Sequence, residues 1–293
     1  MRASPATVAR VIGTIGDLVE DIVVRLGGPV NEASDTDAVV VRRRGGSAAN
    51  FAASVARCGH PSRFIGQVGD DVVGAALLET LAGHGVEVMA RRGGRTGTII
   101  VLLDHHGERT MLTDRGACAL LADPDPAWLD GLSTLHVPVY SLVGEPLATT
   151  TATLVAWAHE RSIRVSIDAS SASVIESFGA TRLRELLAEL RPDVLLCNEL
   201  ELATLGAIEP TDIGADVVVI KHGGGPAVVH RADGPPAAVP AEDVRDVRDT
   251  TGAGDAFAAG LLVALAGDPD PVAAARAGHV SAARAITAVS GDA

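Results

Sequence analysis

Lysine is almost absent from this 293-residue chain, in which Lys221 is the single example. Aromatic residues make up only 2% of the sequence, so base-stacking platforms and aromatic sugar clefts are not expected. Positive charge is also in deficit, because 24 basic against 37 acidic side chains give a net charge of −13. Nucleic acids and anionic membranes select basic surfaces, so we expect neither as a partner.

Cysteines and long apolar segments are equally scarce. Cys58, Cys118 and Cys197 are far apart and form no C-x-x-C pair, which favours small buried residues over a disulfide framework or a zinc site. The longest apolar stretch, residues 256–266, is well short of the roughly 20 residues that a membrane-spanning helix needs. The N-terminal segment meets Gly13 before a signal-peptide core can form. We therefore expect a cytoplasmic protein.

The chain is long enough to bury a large core, and two patterns alternate along it. Apolar, β-branched runs predict strands at residues 8–15, 63–68, 135–139, 163–167, 194–197 and 217–221. Apolar residues at helical spacing predict helices at residues 47–58, 72–84, 146–161, 181–190, 253–266 and 272–288. This alternation indicates an α/β fold of three layers, α/β/α, with a mostly parallel central sheet in one domain spanning residues 1–293.

Two segments depart from this alternation. Residues 29–44 and 95–113 resemble hairpin strands, the second pair turning at residues 104–107. We expect them to form a small β-sheet from about residues 29–46 and 95–114, inserted in the domain and able to act as a lid. Residues 223–226 and the Pro235–Pro236 pair are predicted to be ordered loops.

The most informative motif is Asp-Thr-Thr-Gly-Ala-Gly-Asp at residues 249–255, which leads directly into a predicted helix. Glycines at a helix start let a ligand approach the backbone, and the unpaired N–H groups there form an anion site with the helix dipole. A carboxylate in this first turn would repel a stored phosphate. Asp255 fits better as a base that takes the proton from a hydroxyl attacking the phosphate. The alternative is a glycine-rich turn with an acidic residue suited to a helix N-terminus.

Two further groups of residues have the chemistry to bind hydroxyls. Gly45 and Gly46 open a predicted helix, and the amide of Asn50 lies one turn in; a plain strand-to-helix turn explains the glycines equally well. Asp17 and Asp21 follow the first predicted strand, where ligands bind in open α/β sheets. Ordinary loop solvation is the alternative for these carboxylates.

Asn198 and Glu201 directly follow the predicted strand at residues 194–197. At the carboxyl end of a strand they could hold hydrated Mg²⁺ against phosphates. Alternatively, Asn198 caps a helix and Glu201 completes its first turn, and the two interpretations are compatible.

These four motifs, in this order, resemble the ribokinase-like (PfkB) family of sugar and nucleoside kinases over essentially the whole chain. The most specific is the motif at residues 249–255. The resemblance also includes Gly-Asp-Leu-Val-Glu-Asp at 16–21, Gly-Gly-Ser-Ala-Ala-Asn at 45–50, residues 64–71 with Gly74, residues 107–110, Gly116-Ala117 and residues 198–201.

The resemblance implies a role for each matching residue. Asp255 is the general base, and Gly252, Ala253 and Gly254 form the anion hole for the γ-phosphate. The acceptor positions are Asp21, Gly45, Gly46 and Asn50, with Asp17 and Tyr140 added from their places beyond strands. The nucleotide side comprises Asn198, Lys221, Gly223, Gly225 and His279. Glu201 would bind Mg²⁺ through water, and Asp249 and Thr251 resemble residues that help to bind an activating monovalent cation such as K⁺.

The sequence departs from the family pattern in two places. The nucleotide loop usually has the form Gly-x-x-Gly, whereas here Gly223 is followed three residues later by Pro226, which removes one backbone donor. The end of the chain at residues 290–292 is also shorter than the usual pattern. Neither departure affects Asp255 or the anion hole, so we expect an active enzyme.

The predicted activity is transfer of the γ-phosphate of ATP to a hydroxyl, expected to be a primary one, of a small sugar such as ribose, fructose or a keto-deoxy sugar acid. Arg42, Arg43, Arg44 and Arg109 are available to bind a sugar acid, although solvated positions on a lid explain them as well. A nucleoside kinase is the alternative, disfavoured because few aromatic residues are available to stack on a base. A catalytically inactive sugar-sensing relative is the rival outside enzymes. A homodimer through the lid sheet is expected.

Absent motifs exclude two other classes of nucleotide-binding protein. The turn after the first predicted strand lacks the G-x-G-x-x-G pattern of dinucleotide-binding oxidoreductases. The single lysine is followed by His222 and not by Ser or Thr, which excludes a P-loop.

Overall fold

The computed structural model describes residues 10–104, 106, 109–267 and 270–288. The strands are β1 Val11–Ile15, β2 Val19–Leu26, β3 Ala38–Gly45, β4 Ser62–Val68, β5 Val86–Arg92, β6 Thr96–Leu103, β7 Arg109–Gly116, β8 Leu132–Pro138, β9 Arg164–Asp168, β10 Val194–Asn198, β11 Val217–Lys221, β12 Ala227–Arg231 and β13 Gly234–Val239. The helices are α1 Ser47–Arg57, α2 Val72–Gly83, α3 Leu147–Glu160, α4 Ala172–Phe178, α5 Ala180–Leu190, α6 Glu199–Leu205, α7 Pro210–Ile213, α8 Ala253–Gly267 and α9 Pro271–Thr287.

The larger sheet has the strand order β13-β12-β11-β10-β9-β8-β1-β4-β5 within the described residues. The strands from β5 to β11 in this order are parallel, and β12 and β13 add as antiparallel strands at one edge. The prediction of a mostly parallel central sheet is therefore confirmed. Its parallel strands all end at one edge, where ligands bind in folds of this type.

Alternate residues of the central strands pack against helices on opposite faces of this sheet. In β10, Leu195 and Cys197 join the core formed with α3 to α7, whereas Val194 and Leu196 join the core formed with α8 and α9. Helices α1 and α2 cover β4 and β5 on the second face. The period-2 pattern of the strands therefore produces the three predicted layers.

The smaller sheet has the strand order β3-β2-β6-β7. The hairpin predicted at residues 95–113 is confirmed as β6 and β7, and residues 105 and 107 of its predicted turn lie outside the described residues. The prediction for residues 29–44 is wrong in part, because only β3 lies there and its partner β2 begins at Val19. The charged pair Glu20 and Asp21 suggested a loop, but Asp21 is buried on the same face as Val19 and Val23.

Other strand differences from the sequence analysis lie at or next to the edges of the large sheet. Strands β5 and β12 were not predicted, and Pro235 and Pro236 belong to β13 and not to a loop. Proline is tolerated there because β13 is an edge strand, whose outer amides need no partner.

Cys118 and Cys197 are buried as expected, whereas Cys58 is exposed, and all three are free thiols. None of the helices in the described part of the chain has the length and apolar character needed to span a bilayer.

Candidate active site

Four polar residues lie where parallel strands of the larger sheet end. Asp17 follows β1, Asp168 ends β9, Asn198 ends β10 and Lys221 ends β11. Asn198 and Lys221 are direct partners in the sheet register. They line a cavity of about 460 Å³ between this sheet edge, the smaller sheet and the N-terminus of α8, which we call the central cavity.

The central cavity brings together most of the residues singled out in the sequence. Those on its wall are Asp17, Asp21, Gly46, Asn50, Tyr140, Asn198, Glu201, Lys221, Gly223, Thr251, Gly252, Ala253, Gly254, Asp255 and His279. Three predicted residues are not on the wall. Gly45 lies directly behind Asp21, Asp249 binds arginines of the smaller sheet, and the amide of Gly225 donates to His222 O within a turn.

The anion-hole motif forms the start of α8. Gly252 has a φ of +74°, which L-residues rarely adopt, and it directly precedes the first helical residue, Ala253. A Cβ added at Gly254 would lie 3.4 Å from Lys221 Nζ, so glycine leaves room for that ammonium group beside the helix N-terminus. The first N–H groups of a helix have no partner within it, and the helix dipole adds to their positive potential. The geometry provides a site for an anion at this point.

Asp255 lies in the first turn of α8, on the wall of this anion site. Ser47, the first residue of α1, donates a hydrogen bond of 2.6 Å from its Oγ to Asp255 Oδ1. Removal from water raises the pKa of Asp255 to about 7, and the negative charge of Asp168 acts in the same direction, while hydrogen bonds from Ser47 and Asn50 oppose the shift. The group can therefore exchange a proton near neutral pH.

Lys221 forms an ion pair with Asp168, with 2.5 Å between Nζ and Oδ2. Burial alone would lower the pKa of Lys221, but the charge of Asp168 and that of Glu201 raise it, so the ammonium stays protonated. Sequence analysis did not single out Asp168, although its position directly after a predicted strand was a usable signal.

Asn198 and Glu201 form a reciprocal cap at the start of α6. Asn198 Oδ1 accepts from Glu201 N at 2.9 Å, and Glu201 accepts from both Asn198 N and Asn198 Nδ2. The capping interpretation is thus confirmed, and both residues also face the central cavity. Burial raises the pKa of Glu201, and the negative charge of Asp168 adds to that effect. A hydrated divalent cation fits this excess of carboxylate, because Mg²⁺ commonly keeps several waters. No cluster of three His, Cys, Asp or Glu side chains suited to direct metal binding occurs among the described residues.

One side of the central cavity is formed by β2 and the end of β3. A Cβ at Gly45 would overlap the carboxylate of Asp21, so glycine is required for Asp21 to occupy this place. Burial raises the pKa of Asp21 to about 6, although the nearby Arg43 and Arg44 lower it. Both carboxylate oxygens of Asp17 accept hydrogen bonds from Arg115, at 2.7 and 2.8 Å. Asp21 is therefore the freer of the two carboxylates to bind a ligand.

Two arginines of the smaller sheet reach the loop before α8. Arg43 and Arg109 bind opposite oxygens of Asp249 at 2.6 and 3.0 Å, and both also contact Thr251 Oγ1. Burial would raise the pKa of Asp249, but the hydrogen bonds from Arg43 and Thr251 hold it well below its usual range. These contacts connect the smaller sheet to the anion site. The monovalent-cation role of Asp249 and Thr251 stays a prediction.

His279 of α9 is on the wall of the central cavity, next to β12 and β13. Its Nε2 is 3.3 Å from Ala227 N and 3.1 Å from Val239 O, and its ring meets Phe257 edge-on. Pro226 directly precedes β12, and Gly223 in the same turn has a φ of +56°. The ring thus borders the cavity while being held by the antiparallel edge of the large sheet.

The fold and the cavity define the class of protein. The three-layer α/β/α fold has, at the carboxyl edge of its large sheet, a helix N-terminus suited to an anion, an ionisable carboxylate in the first turn of that helix, and a polar pocket under a second sheet. This is the arrangement of a small-molecule kinase, in which positioning and electrostatics carry phosphoryl transfer.

The chain belongs to the pfkB family of carbohydrate kinases, whose model matches residues 12–293. It is 34% identical over 281 residues to a fructokinase of Klebsiella pneumoniae, covering 90% of this chain and 87% of the relative. It is also 34% identical over 233 residues to an ATP-dependent ribose-1-phosphate kinase of Halopiger xanaduensis, covering 77% of this chain and 74% of the relative.

Solved structures support the fold. Adenosine kinase from Sinorhizobium meliloti superposes with a TM-score of 0.83 at 22% identity, covering 96% of this chain and 95% of the other. A putative ribokinase II of E. coli in complex with ATP and Mg²⁺ superposes with a TM-score of 0.81 at 22% identity, covering 96% of this chain and 94% of the other. The predicted ribokinase-like fold is thus confirmed.

Proposed function

We propose that this protein transfers the γ-phosphate of ATP to a hydroxyl, most simply a primary one, of a small sugar such as ribose, fructose or a keto-deoxy sugar acid. The observation that carries the proposal is Asp255, an ionisable carboxylate in the first turn of α8 beside the anion site at residues 252–254. Membership of a carbohydrate kinase family supports it. The whole chain would act as one domain with the smaller sheet as a lid.

Asp255 serves as general base. The acceptor hydroxyl attacks the γ-phosphorus, its proton passes to Asp255, the new O–P bond forms, and the bond from the γ-phosphorus to the bridging oxygen of ADP breaks. Backbone N–H groups of Gly252, Ala253 and Gly254 stabilise the charge on the transferring group. Lys221 adds a fixed positive charge near the same point. Mg²⁺, held through water by Asn198 and Glu201, would neutralise phosphate charge when it is bound.

The remaining predicted residues divide between the two substrates. Asp21, Gly46 and Asn50 bind the acceptor with Tyr140 beside them, and Gly223 and His279 border the nucleotide. A nucleoside acceptor is the second candidate, favoured by the structural likeness to an adenosine kinase. The sugar is preferred because Tyr140 and Phe257 are the only Tyr, Phe or Trp side chains on the wall of the cavity within the described residues.

The proposal also covers the oligomeric state, the cellular location and activation by a monovalent cation. Val39, Val40, Val41, Met111 and Leu112 are exposed apolar residues of the smaller sheet, which supports a homodimer through that sheet. Use of ATP and the free state of the cysteines support action in the cytoplasm. Activation by K⁺ at Asp249 and Thr251 is the least supported element, because Arg43 and Arg109 already supply positive charge there.

The test is release of ADP from Mg-ATP in the presence of sugars, sugar acids and nucleosides, compared with the acceptor-free background. The Asp255→Asn variant should bind ATP with unchanged affinity and lose at least about 100-fold in kcat, the lower range for a general base. Near-normal turnover by this variant would refute the mechanism. Failure of every acceptor to stimulate ADP release would favour an inactive sensor.

A further inference from the structure

A second cavity of about 630 Å³ lies next to the central cavity. The two share Asp21, Arg43, Asn50, Thr251 and Gly252 on their walls, so a ligand group in one is close to a ligand group in the other. The wall of the second cavity also carries basic residues of β2, β3, α1 and the end of α2. We call it the arginine cavity, after Arg25, Arg42, Arg43, Arg44 and Arg57, which it combines with His84.

Arg44 is the best-placed cation of this cavity. Its Nη1 donates to Asn50 Oδ1 at 2.9 Å, which points the guanidinium at the wall shared with the central cavity. Its Nε is buried and has no hydrogen-bond partner in the described part of the chain. Burial and the neighbouring Arg57 lower the pKa of Arg44 to about 10. A buried guanidinium with an unused donor next to a second cation is a costly arrangement that an anion would relieve.

Arg57 is a second cation of the cavity wall close to Arg44, and His84 lies near both. The Nε of Arg57 donates to Ala53 O at 3.4 Å, and none of Arg44, Arg57 and His84 forms an ion pair with a carboxylate of the described residues. Burial lowers the pKa of His84, and the charges of Arg44 and Arg57 lower it further. His84 is therefore neutral at neutral pH, and Arg44 and Arg57 carry the positive charge at this place in a chain of net charge −13.

The charges of Asp255 and Asp21 act on Arg44 and oppose the lowering of its pKa, but neither carboxylate forms an ion pair with it among the described residues. Asp249 is paired with Arg43 at 2.6 Å, and Asp21 lies 3.9 Å from the same arginine. Arg42 is paired with Glu20. Arg44 and Arg57 therefore have no ion-pair partner among the described residues, and the unpartnered Nε of Arg44 remains available to a ligand.

Asn50 lies between Arg44 of the arginine cavity and Asp255, the proposed base. Its side chain forms hydrogen bonds with both Asp255 and Arg44. The base and the buried guanidinium are therefore separated by one amide group and two hydrogen bonds, on the order of 8 Å. That span is comparable to the distance between a hydroxyl and a phosphate or carboxylate at opposite ends of a small sugar derivative.

We propose that the arginine cavity binds the oxyanion of an acidic acceptor, a sugar phosphate or a sugar acid, whose reacting hydroxyl faces Asp255. The inference rests on the proposed function and specifies its substrate class. Guanidinium groups suit both anions, because their fork of N–H donors matches two oxygens of a phosphate or carboxylate. Neutral sugars would leave Arg44 Nε unsatisfied and would bind more weakly.

The test compares neutral and acidic acceptors of matched carbon skeleton in the ADP-release assay: ribose with ribose 1- and 5-phosphate, fructose with fructose 1- and 6-phosphate, and glucose with gluconate and 2-keto-3-deoxygluconate. At least one acidic acceptor should exceed its neutral partner about tenfold or more in kcat/KM.

In Arg57→Gln, the KM of that acceptor should rise about tenfold, the effect of one charge-assisted hydrogen bond, with kcat within about threefold. Arg276→Gln, at an exposed arginine of α9 outside both cavities, is the matched control and should change neither value.

The outcomes separate this inference from the proposed function. Equal or better use of the neutral sugar in every set would overturn the inference and leave the kinase assignment standing. So would an equal rise in KM for neutral and acidic acceptors in Arg57→Gln. Stimulation of neutral-sugar turnover by inorganic phosphate, lost in Arg57→Gln, would assign the cavity to a free anion and overturn the acceptor assignment. Failure of every acceptor, acidic or neutral, would refute the kinase proposal itself.

Discussion

The hydrogen bond from Ser47 to Asp255 should set the lower pH limit of activity. The bond is 2.6 Å long and stabilises the ionised carboxylate, which is the form that accepts a proton. Burial raises the pKa of Asp255 to about 7 even with this bond in place. Because kcat/KM reports the free enzyme, it should increase with pH as Asp255 ionises and level off above about 7.

Replacing Ser47 with alanine removes that stabilisation. A hydrogen bond to a charged group contributes about 1.5–3 kcal/mol, and one pKa unit corresponds to about 1.4 kcal/mol, so the pKa of Asp255 should rise by about 1–2 units. At pH 7 the ionised fraction would then fall from about one half to roughly 1–10%. The expected loss in kcat/KM is about 5–50-fold at pH 7, and most of it should be recovered near pH 9–10.

The measurement is a pH profile of kcat/KM for wild type and Ser47→Ala with the best acceptor. Ser177→Ala, at an exposed serine of α4, is the control and should reproduce the wild-type profile. A Ser47→Ala profile with the same acid limb as wild type would refute the reasoning. A loss that is uniform from pH 6 to pH 10 would also contradict it, since it would indicate misplacement of α1 and not a shifted ionisation.

Further predictions concern stability and the lid. Because Asp255 has a raised pKa, its ionised form opposes folding; this cost begins above its unfolded value near 4 and is complete above about 7, so Asp255→Asn should raise Tm more at pH 8 than at pH 5. Lys221→Met leaves Asp168 buried without its partner and should lower the free energy of unfolding by about 3–5 kcal/mol in urea denaturation, whereas adding Asp168→Asn should restore most of it. Acceptor and ATP together should slow amide exchange in β6 and β7, and Arg109→Gln should weaken that protection by removing the contact with Asp249. Equal protection with and without ligands would contradict the lid role.

Much of the fold was predictable because its strands are buried on both faces. A strand such as β10 is apolar throughout, and its boundaries in the structure differ from the prediction by one residue. The strands that were missed lie at an edge of the large sheet, next to an edge, or in the smaller sheet. In β2, Glu20 and Asp21 interrupt the pattern, and Asp21 is buried only because Gly45 leaves room for it. Sequence alone does not reveal that Gly45 packs against the carboxylate of Asp21.

The candidate site was predictable where one short segment carries several of its parts. The motif at residues 249–255 supplies both the helix N-terminus and the carboxylate, so local spacing was sufficient. Ser47, Asp168 and Arg44 act through contacts with residues 208, 53 and 6 positions away, respectively. Their roles depend on which strand ends and helix starts become neighbours, and that information is tertiary.

The single lysine places one reactive amine at the carboxyl edge of the large sheet, beside the central cavity. Lys221 provides the only side-chain amine in the sequence, and its side chain is 14% exposed and paired with Asp168. Amine-directed reagents should therefore react slowly at one internal position, and their rate should report access to the site. A lysine-specific protease has one cleavage point, after β11. Its cut would separate residues 1–221 from the segment that carries α8 and α9, so resistance to this protease measures how firmly the two halves of the site hold together.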